Sequence, residues 1–109
     1  MKIAIIGSRN LNVENLEKYI SKEATEIVSG GAKGIDSDAA NYALERGIKL
    51  TVFLPDYARY KRGAPLKRNM QIAEYADECI AFWDGQSKGT MYTVELFQKL
   101  GKNVTIIKK

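Results

Sequence analysis

The sequence predicts an α/β fold, a single doubly wound domain over residues 1–109. Three observations predict it: apolar runs rich in β-branched residues recur along the chain, segments with helical spacing separate them, and glycines mark many of the junctions. Regular alternation of strands and helices implies a parallel sheet with right-handed crossovers and helices on both faces. We expect five strands in the order 3-2-1-4-5, with a ligand site beyond their carboxyl ends.

The strands are predicted where the sequence is almost continuously apolar, as in strands that are buried on both faces. They span residues 2–6, 26–29, 49–54, 78–82 and 103–107. The single cysteine, Cys79, lies in the fourth of these runs. We therefore expect a buried thiol, and one cysteine cannot form an internal disulfide.

Four helices are predicted between the strands, from apolar residues spaced three and four apart. They span residues 13–22, 37–46, 65–76 and 90–100. Their predicted buried faces contain, in order, Leu16, Tyr19 and Ile20; Ala39, Ala40, Ala43 and Leu44; Leu66, Met70 and Ala73; and Val94, Phe97 and Leu100.

Capping residues support these limits. Asn12 is expected to cap the first helix, and either Asp36 or Ser37 the second. Pro65 suits the first turn of the third helix, where the missing N–H is not needed. The glycines expected just beyond helix ends are Gly47 and Gly101.

Composition excludes several classes of protein. With 45% apolar and 28% charged residues, the chain is typical of a folded globule, and no apolar run approaches the roughly 20 residues that span a bilayer. We expect a cytoplasmic protein with no membrane partner. The chain has no histidine, which removes Ser-His and Cys-His nucleophile pairs and, with one cysteine, makes a metal site of the zinc type unexpected. The net charge of +4 suits an anionic partner.

The most informative stretch is IVSGGAKGIDSDAA at residues 27–40, which combines a strand, a glycine-rich turn and a helix start. Backbone amides of such a turn, with the first helical turn behind it, form a binding site for phosphate or a similar anion. Asp36 is expected to order this loop or cap its helix, with a bond to a ribose hydroxyl as the alternative. The residues of this loop predicted to contact the ligand are Ser29, Gly30, Gly31, Ala32, Gly34 and Asp36.

Three further loops follow strands, so in a parallel sheet they lie at the same edge. In the first loop, Gly7 is predicted to let a ligand approach the backbone closely. Ser8 is predicted to donate a hydroxyl hydrogen bond to the ligand, and Arg9 to bind an anionic group. Arg68 is predicted to contact a phosphate and Asn69 a base or sugar. The last pair, which offers amides and a hydroxyl at a helix start, is Gly89 and Thr90.

The segment 57–68 is basic, with two tyrosines interleaved. This composition is typical of single-stranded nucleic acid binding, and equally of a mobile lid over a small-ligand site. The connection over residues 55–64 is the longest expected loop, which also favours a functional role.

Together these motifs resemble the SLOG superfamily, the Rossmann-like group that contains the DNA-processing protein DprA and the LOG phosphoribohydrolases. SGGAKGID resembles the SGGA-basic-GID motif of DprA, RNMQI its RNRxI segment, and SKGTMYT its SGS-x-x-T segment. The GSR opening and the length are closer to the small YspA/YpsA-like branch. The resemblance implies a site for a nucleotide or nucleotide-derived ligand, bound and sensed or processed.

Two alternatives to a binding function stay open. One is an N-glycosidic or phosphate-ester hydrolase, which would need Asp36, Asp84 or Glu95 as its acid–base group, alone or with Mg²⁺. The LOG signature PGGxGTxxE has a glutamate where this chain has Thr93, and this difference argues against LOG-type hydrolysis. A DprA-like single-stranded DNA binder would use the basic segment 57–68. A homodimer is an open alternative to a monomer, because related folds often dimerise through helices that flank the sheet.

Overall fold

The computed structural model describes residues 1–8, 10–31 and 34–109. Its strands are β1 (Lys2–Gly7), β2 (Glu26–Ser29), β3 (Lys49–Val52), β4 (Glu78–Trp83) and β5 (Asn103–Lys108). Its α-helices are α1 (Ile35–Arg46), α2 (Tyr57–Tyr60), α3 (Ala64–Tyr75) and α4 (Lys88–Lys99), with 3-10 turns at Leu16–Lys18 and Lys61–Gly63. The strands form one parallel sheet in the order β3-β2-β1-β4-β5, which confirms the predicted topology.

Two apolar cores lie on opposite faces of the sheet, because side chains alternate along each strand. In β1, Ile3 and Ile5 face the core beneath α1, whereas Ala4 and Ile6 face the core beneath α3 and α4. Cys79 is buried in the second core, as expected, and burial raises the pKa of its thiol. Helices therefore cover both faces, as predicted. In the part of the chain that is described, no helix is long and apolar enough to cross a membrane.

The first predicted helix, over residues 13–22, is wrong. That segment forms only the 3-10 turn at Leu16–Lys18, so Asn12 caps no α-helix. Valine and asparagine are weak helix formers, and the Val13 amide instead donates a 2.7 Å hydrogen bond to Asp38 Oδ2 of α1. The tertiary contacts bury the predicted apolar face without a helix, and its fully buried members are Leu16 and Ile20.

Helix α1 begins two residues earlier than predicted, and the expected caps are wrong. Its first residue is Ile35, preceded by Gly34 with φ of 75°, and Asp36 already lies in the first turn. Burial explains the difference, because Ile35 is 1% exposed and packs under the end of β1. The other end is as predicted: Gly47 ends α1 in the left-handed conformation.

Three leucines predicted on buried faces are exposed, namely Leu44 (76%), Leu66 (47%) and Leu100 (50%). Ala39 and Ala43 set the face of α1 that meets the sheet, and the next residue on a helix is rotated by about 100° away from that face. Leu100 lies just past α4, where the helical register no longer holds it inward. Leu66 lies in the first turn of α3, beside the site described below.

The connection over residues 55–64 is not the loop expected from its length. It contains α2 and the 3-10 turn at Lys61–Gly63. Asp56 caps α2 by accepting a 3.1 Å hydrogen bond from the Arg59 amide. Pro65 occupies the first turn of α3, as predicted. The basic segment is therefore held on short helical turns beside the carboxyl edge of the sheet.

Candidate functional site

A cavity of about 190 Å³ opens at the carboxyl edge of the sheet, between the end of β1 and the first turns of α3 and α4. This is the edge at which ligands bind in open parallel sheets. The cavity contains part of the predicted set, namely Gly7, Gly30, Asp36, Arg68, Asn69, Gly89 and Thr90. Its other lining residues are Ile6, Pro65, Leu66, Ile72, Ser87 and Thr93.

Gly7 ends β1 and lines the cavity with its backbone. A Cβ at this position would lie 2.4 Å from Cγ1 of Ile35, so only glycine lets the start of α1 pack this closely on β1. The close packing brings Asp36, the second residue of α1, to the cavity wall. Gly7 therefore positions the neighbouring helix as well as leaving its own backbone accessible.

Gly30 and Arg68 form the second wall of the cavity. The Arg68 Nη1 donates a 2.7 Å hydrogen bond to the Gly30 carbonyl, and its Nε donates a 2.8 Å bond to Oδ1 of Asn69. A Cβ on Gly30 would lie 2.6 Å from that Nη1. The missing side chain of Gly30 thus allows the guanidinium to reach across from α3, where it is held as an oriented positive charge.

The third wall is the amino end of α4. Ser87 caps the helix by accepting a 3.3 Å bond from the Thr90 amide, and the two hydroxyl oxygens lie 3.1 Å apart. In an α-helix the first amides have no intrahelical acceptor, and the helix dipole makes this end positive. Gly89, in the first turn, presents no side chain that would cover them.

Asp84 shapes the loop that leads into α4. Its Oδ1 accepts hydrogen bonds from the amides of Gln86 at 2.8 Å and Ser87 at 2.7 Å. These backbone bonds hold the pKa of Asp84 below its ordinary value. Of the three carboxylates considered for hydrolysis, Asp36 lines the cavity, Asp84 organises this loop, and Glu95 lies in a neighbouring groove. Hydrolysis stays a prediction that would depend on Asp36.

Several predicted ligand contacts lie outside the cavity lining. Ser8 is 3% exposed, accepts a 3.3 Å bond from the Asp84 amide, and shares a 3.5 Å contact with the Thr90 hydroxyl. Ser29 is 1% exposed and accepts the Gly31 amide at 3.2 Å. Ser8 therefore joins two loops that are distant in the sequence, whereas the Ser29 hydroxyl holds the turn of its own loop.

Gly31 and Gly34 also lie outside the lining. Both have positive φ, 73° and 75°, and a Cβ on Gly31 would lie 2.4 Å from Cδ2 of Leu54. Gly31 thus turns the chain towards the β3 side of the sheet. The predicted contacts at Arg9 and Ala32, together with Lys33, fall outside the described residues.

Sequence reasoning missed several lining residues that follow from helical spacing. On α3, Pro65, Asn69 and Ile72 lie on one face, since they are four and three residues apart. On α4, Thr93 lies four residues after Gly89 and donates a 3.1 Å bond to its carbonyl. Extending the predicted set by one turn along each helix would have found them. Thr93 is 2% exposed and lies in the wall of this cavity.

Among the described residues, no three or more cysteine and carboxylate side chains come together in a group that could hold a metal ion.

The comparisons with known proteins concern the amino-terminal part of this site. A family model described as DNA recombination-mediator protein A matches residues 1–60. That region includes β1, β2 and α1, with the glycine-bearing loops that follow the first two strands, and it ends before Arg68 and α4. No curated protein and no solved structure matches the chain.

Proposed function

The chain belongs to the DNA recombination-mediator protein A family, and from that premise we propose that its cavity binds a nucleotide or nucleotide-derived anion through the phosphate. One observation carries the proposal: the Arg68 guanidinium and the amino end of α4 line the same cavity. Each attracts an anion independently, and both lie where parallel sheets bind ligands. The assignment to the YspA/YpsA-like branch stays a prediction.

The groups around the cavity suggest a role for each part of the ligand. The phosphate would accept bonds from Arg68 and from the first amides of α4, with the Thr90 hydroxyl beside them. The Asp36 carboxylate would repel a phosphate, but its oxygens can accept hydrogen bonds from sugar hydroxyls. Asn69 can donate and accept, which suits a sugar or the edge of a base.

Isothermal titration with adenosine 5′-monophosphate (AMP) tests the proposal. Hydrogen bonds to charged groups contribute about 1.5–3 kcal/mol, so Arg68→Met should weaken AMP binding by about 10- to 100-fold. Arg46→Met is the matched control, because Arg46 is exposed at the end of α1, beside the Tyr42 ring, and outside the cavity. Circular dichroism before titration checks that both variants are folded.

Two results would refute this function. One is the absence of binding of AMP, ADP-ribose and NAD at about 1 mM, the weakest affinity that a specific site of this kind should show. The other is equal loss of binding in Arg68→Met and Arg46→Met, because that result would assign the effect to net charge.

A second candidate function, binding of single-stranded DNA, is favoured by exposed cations in the segment that directly precedes α3. Arg59 lies in α2, and Lys61 and Arg62 lie in the 3-10 turn that follows; all three are exposed. Tyr57, at the start of α2, is 57% exposed. Cations with an accessible aromatic ring are the usual elements of single-strand binding.

The salt dependence of affinity tests this candidate. For a labelled oligothymidine, removing two phosphate contacts with the double variant Arg59→Gln/Arg62→Gln should reduce the slope of log affinity against log salt by about 1.4. The matched control is Lys22→Gln/Lys99→Gln, which removes two exposed lysines elsewhere. An equal slope in the two double variants would refute a specific role for this segment.

A further inference from the structure

A groove of about 470 Å³ adjoins the cavity on its α4 side, and we call it the α4 groove. We propose that it receives the base of a nucleotide whose phosphate lies in the cavity, with the Tyr92 ring as the stacking surface. This inference depends on the proposed function. The groove is lined by Leu66, Lys88, Gly89, Met91, Tyr92 and Glu95.

The size of the cavity is the first argument. Its volume of about 190 Å³ is below the range of roughly 300–1,000 Å³ in which proteins enclose small organic ligands. A phosphate and its sugar need less room than a complete nucleotide, so the base must lie outside the cavity. The α4 groove supplies adjoining space that brings the combined volume into that range.

Continuity between the two spaces is the second argument. Leu66 and Gly89 line both the cavity and the α4 groove, so one ligand can extend from the first into the second. Tyr92 lies three residues after Gly89, which places it on the same side of α4 and about 4.5 Å further along the axis. A phosphate bound at the amino end of α4 would thus place its attached base about one turn along the helix, beside Tyr92.

The chemistry of the lining is the third argument. Tyr92 and Met91 are partly buried, and Leu66 is 47% exposed, so the groove presents an aromatic ring between apolar side chains. Bases stack on such rings regardless of their identity, because every base has a π-face. Lys88 and Glu95 supply polar groups at the margin of the groove. The lining therefore suits a flat, partly polar heterocycle.

Titration of AMP and ribose 5-phosphate separates the base from the rest of the ligand. Wild-type protein should bind AMP more tightly than ribose 5-phosphate. Tyr92→Ala should weaken AMP binding by about fivefold to tenfold, the lower part of the range for loss of one stacked base, and leave ribose 5-phosphate binding unchanged. Tyr92→Phe keeps the ring and should retain AMP binding. Tyr57→Ala is the control, because Tyr57 is exposed on α2 and lines neither space.

The outcomes separate this inference from the proposed function. If both ligands bind equally to wild type and lose affinity in Arg68→Met, the phosphate site stands and the base site is refuted. A Tyr57→Ala effect with no Tyr92→Ala effect also refutes it, since the base would then lie on α2. If neither ligand binds, the proposed function and this inference fail together. A 5′-phosphorylated oligoadenylate tests whether the bound nucleotide is free or is the end of a nucleic acid. Tighter, Tyr92-dependent binding of the oligomer than of AMP indicates a nucleic acid end. Tighter binding of AMP indicates a free nucleotide.

Discussion

Gly30→Ala tests whether the position of Arg68 matters for binding. The added Cβ would lie 2.6 Å from Nη1 of Arg68, closer than such atoms approach, and a tight 3.0 Å from its Cζ. Gly30 does not have a left-handed backbone, so alanine is compatible with the chain itself, and the conflict is with the guanidinium alone. Because the guanidinium is the end of a flexible side chain, Arg68 should move rather than the strand.

The expected magnitudes follow from the bonds that move. Arg68 would lose its 2.7 Å bond to the Gly30 carbonyl, and a bond of this charged type contributes about 1.5–3 kcal/mol. Water can replace part of it once the side chain swings out, so we expect a loss of about 1 kcal/mol in the free energy of unfolding, near the lower end of overpacking costs. AMP affinity should fall about tenfold, because the cation no longer stands at the cavity wall.

Urea denaturation and titration with AMP measure these two effects separately. The matched control is Gly63→Ala, since Gly63 has φ of −81° and a Cβ there meets nothing within 4 Å. In an Arg68→Met background, Gly30→Ala should weaken AMP binding no further, because the displaced group is already absent. AMP affinity in Gly30→Ala equal to that in Gly63→Ala would refute the argument that Gly30 acts through Arg68.

Two further predictions concern stability at the amino ends of the strands, opposite the candidate site. Burial raises the pKa of Glu26, but hydrogen bonds from Thr51 and Tyr75, with the charges of two nearby lysines, lower it overall below its ordinary value. The Glu26 carboxylate therefore stabilises the fold above about pH 4.5, and this contribution is lost as the pH falls through its folded-state pKa. As the pH is lowered from 7 to 3, the urea midpoint should fall less steeply in Glu26→Gln than in the wild type. Lys102 donates hydrogen bonds of 2.7, 3.0 and 2.8 Å to three carbonyls at the end of α3, so Lys102→Met should lower the free energy of unfolding by about 1–3 kcal/mol. Lys99→Met, at an exposed position on α4, should change it little, and equal effects of the two lysine variants in urea denaturation would contradict this explanation.

The strands and their order could be predicted because the relevant signals are local. A strand buried on both faces needs a nearly unbroken apolar run, and β1 and β4 each have one. The crossover rule then leaves few ways to arrange the strands. The segment at residues 13–22 shows the limit of such signals, since apolar spacing of three and four predicted that Leu16 and Ile20 are buried but not that the segment forms only a 3-10 turn.

The candidate site was predictable in position but not in its detailed lining. Gly30, Arg68 and Gly89 belong to motifs that the sequence shows, and they line the cavity together. Ser8 belongs to an equally good motif, yet its hydroxyl contacts Thr90, which is 82 residues away in the chain, and joins two loops. Thr93 was noted only as a motif position, and it lines the cavity because α4 places it one turn beyond Gly89.

Local sequence patterns were enough to predict the alternation of strands and helices, and with it the edge of the sheet at which the loops gather. That alternation depends on burial patterns and turn residues, which act over a few positions. Which side chains line the cavity, and which join the loops, depends instead on contacts between elements that are far apart in the sequence. Packing between such elements sets the position of each group, because the start of α1 packs directly on Gly7 and Arg68 of α3 reaches the carbonyl of Gly30.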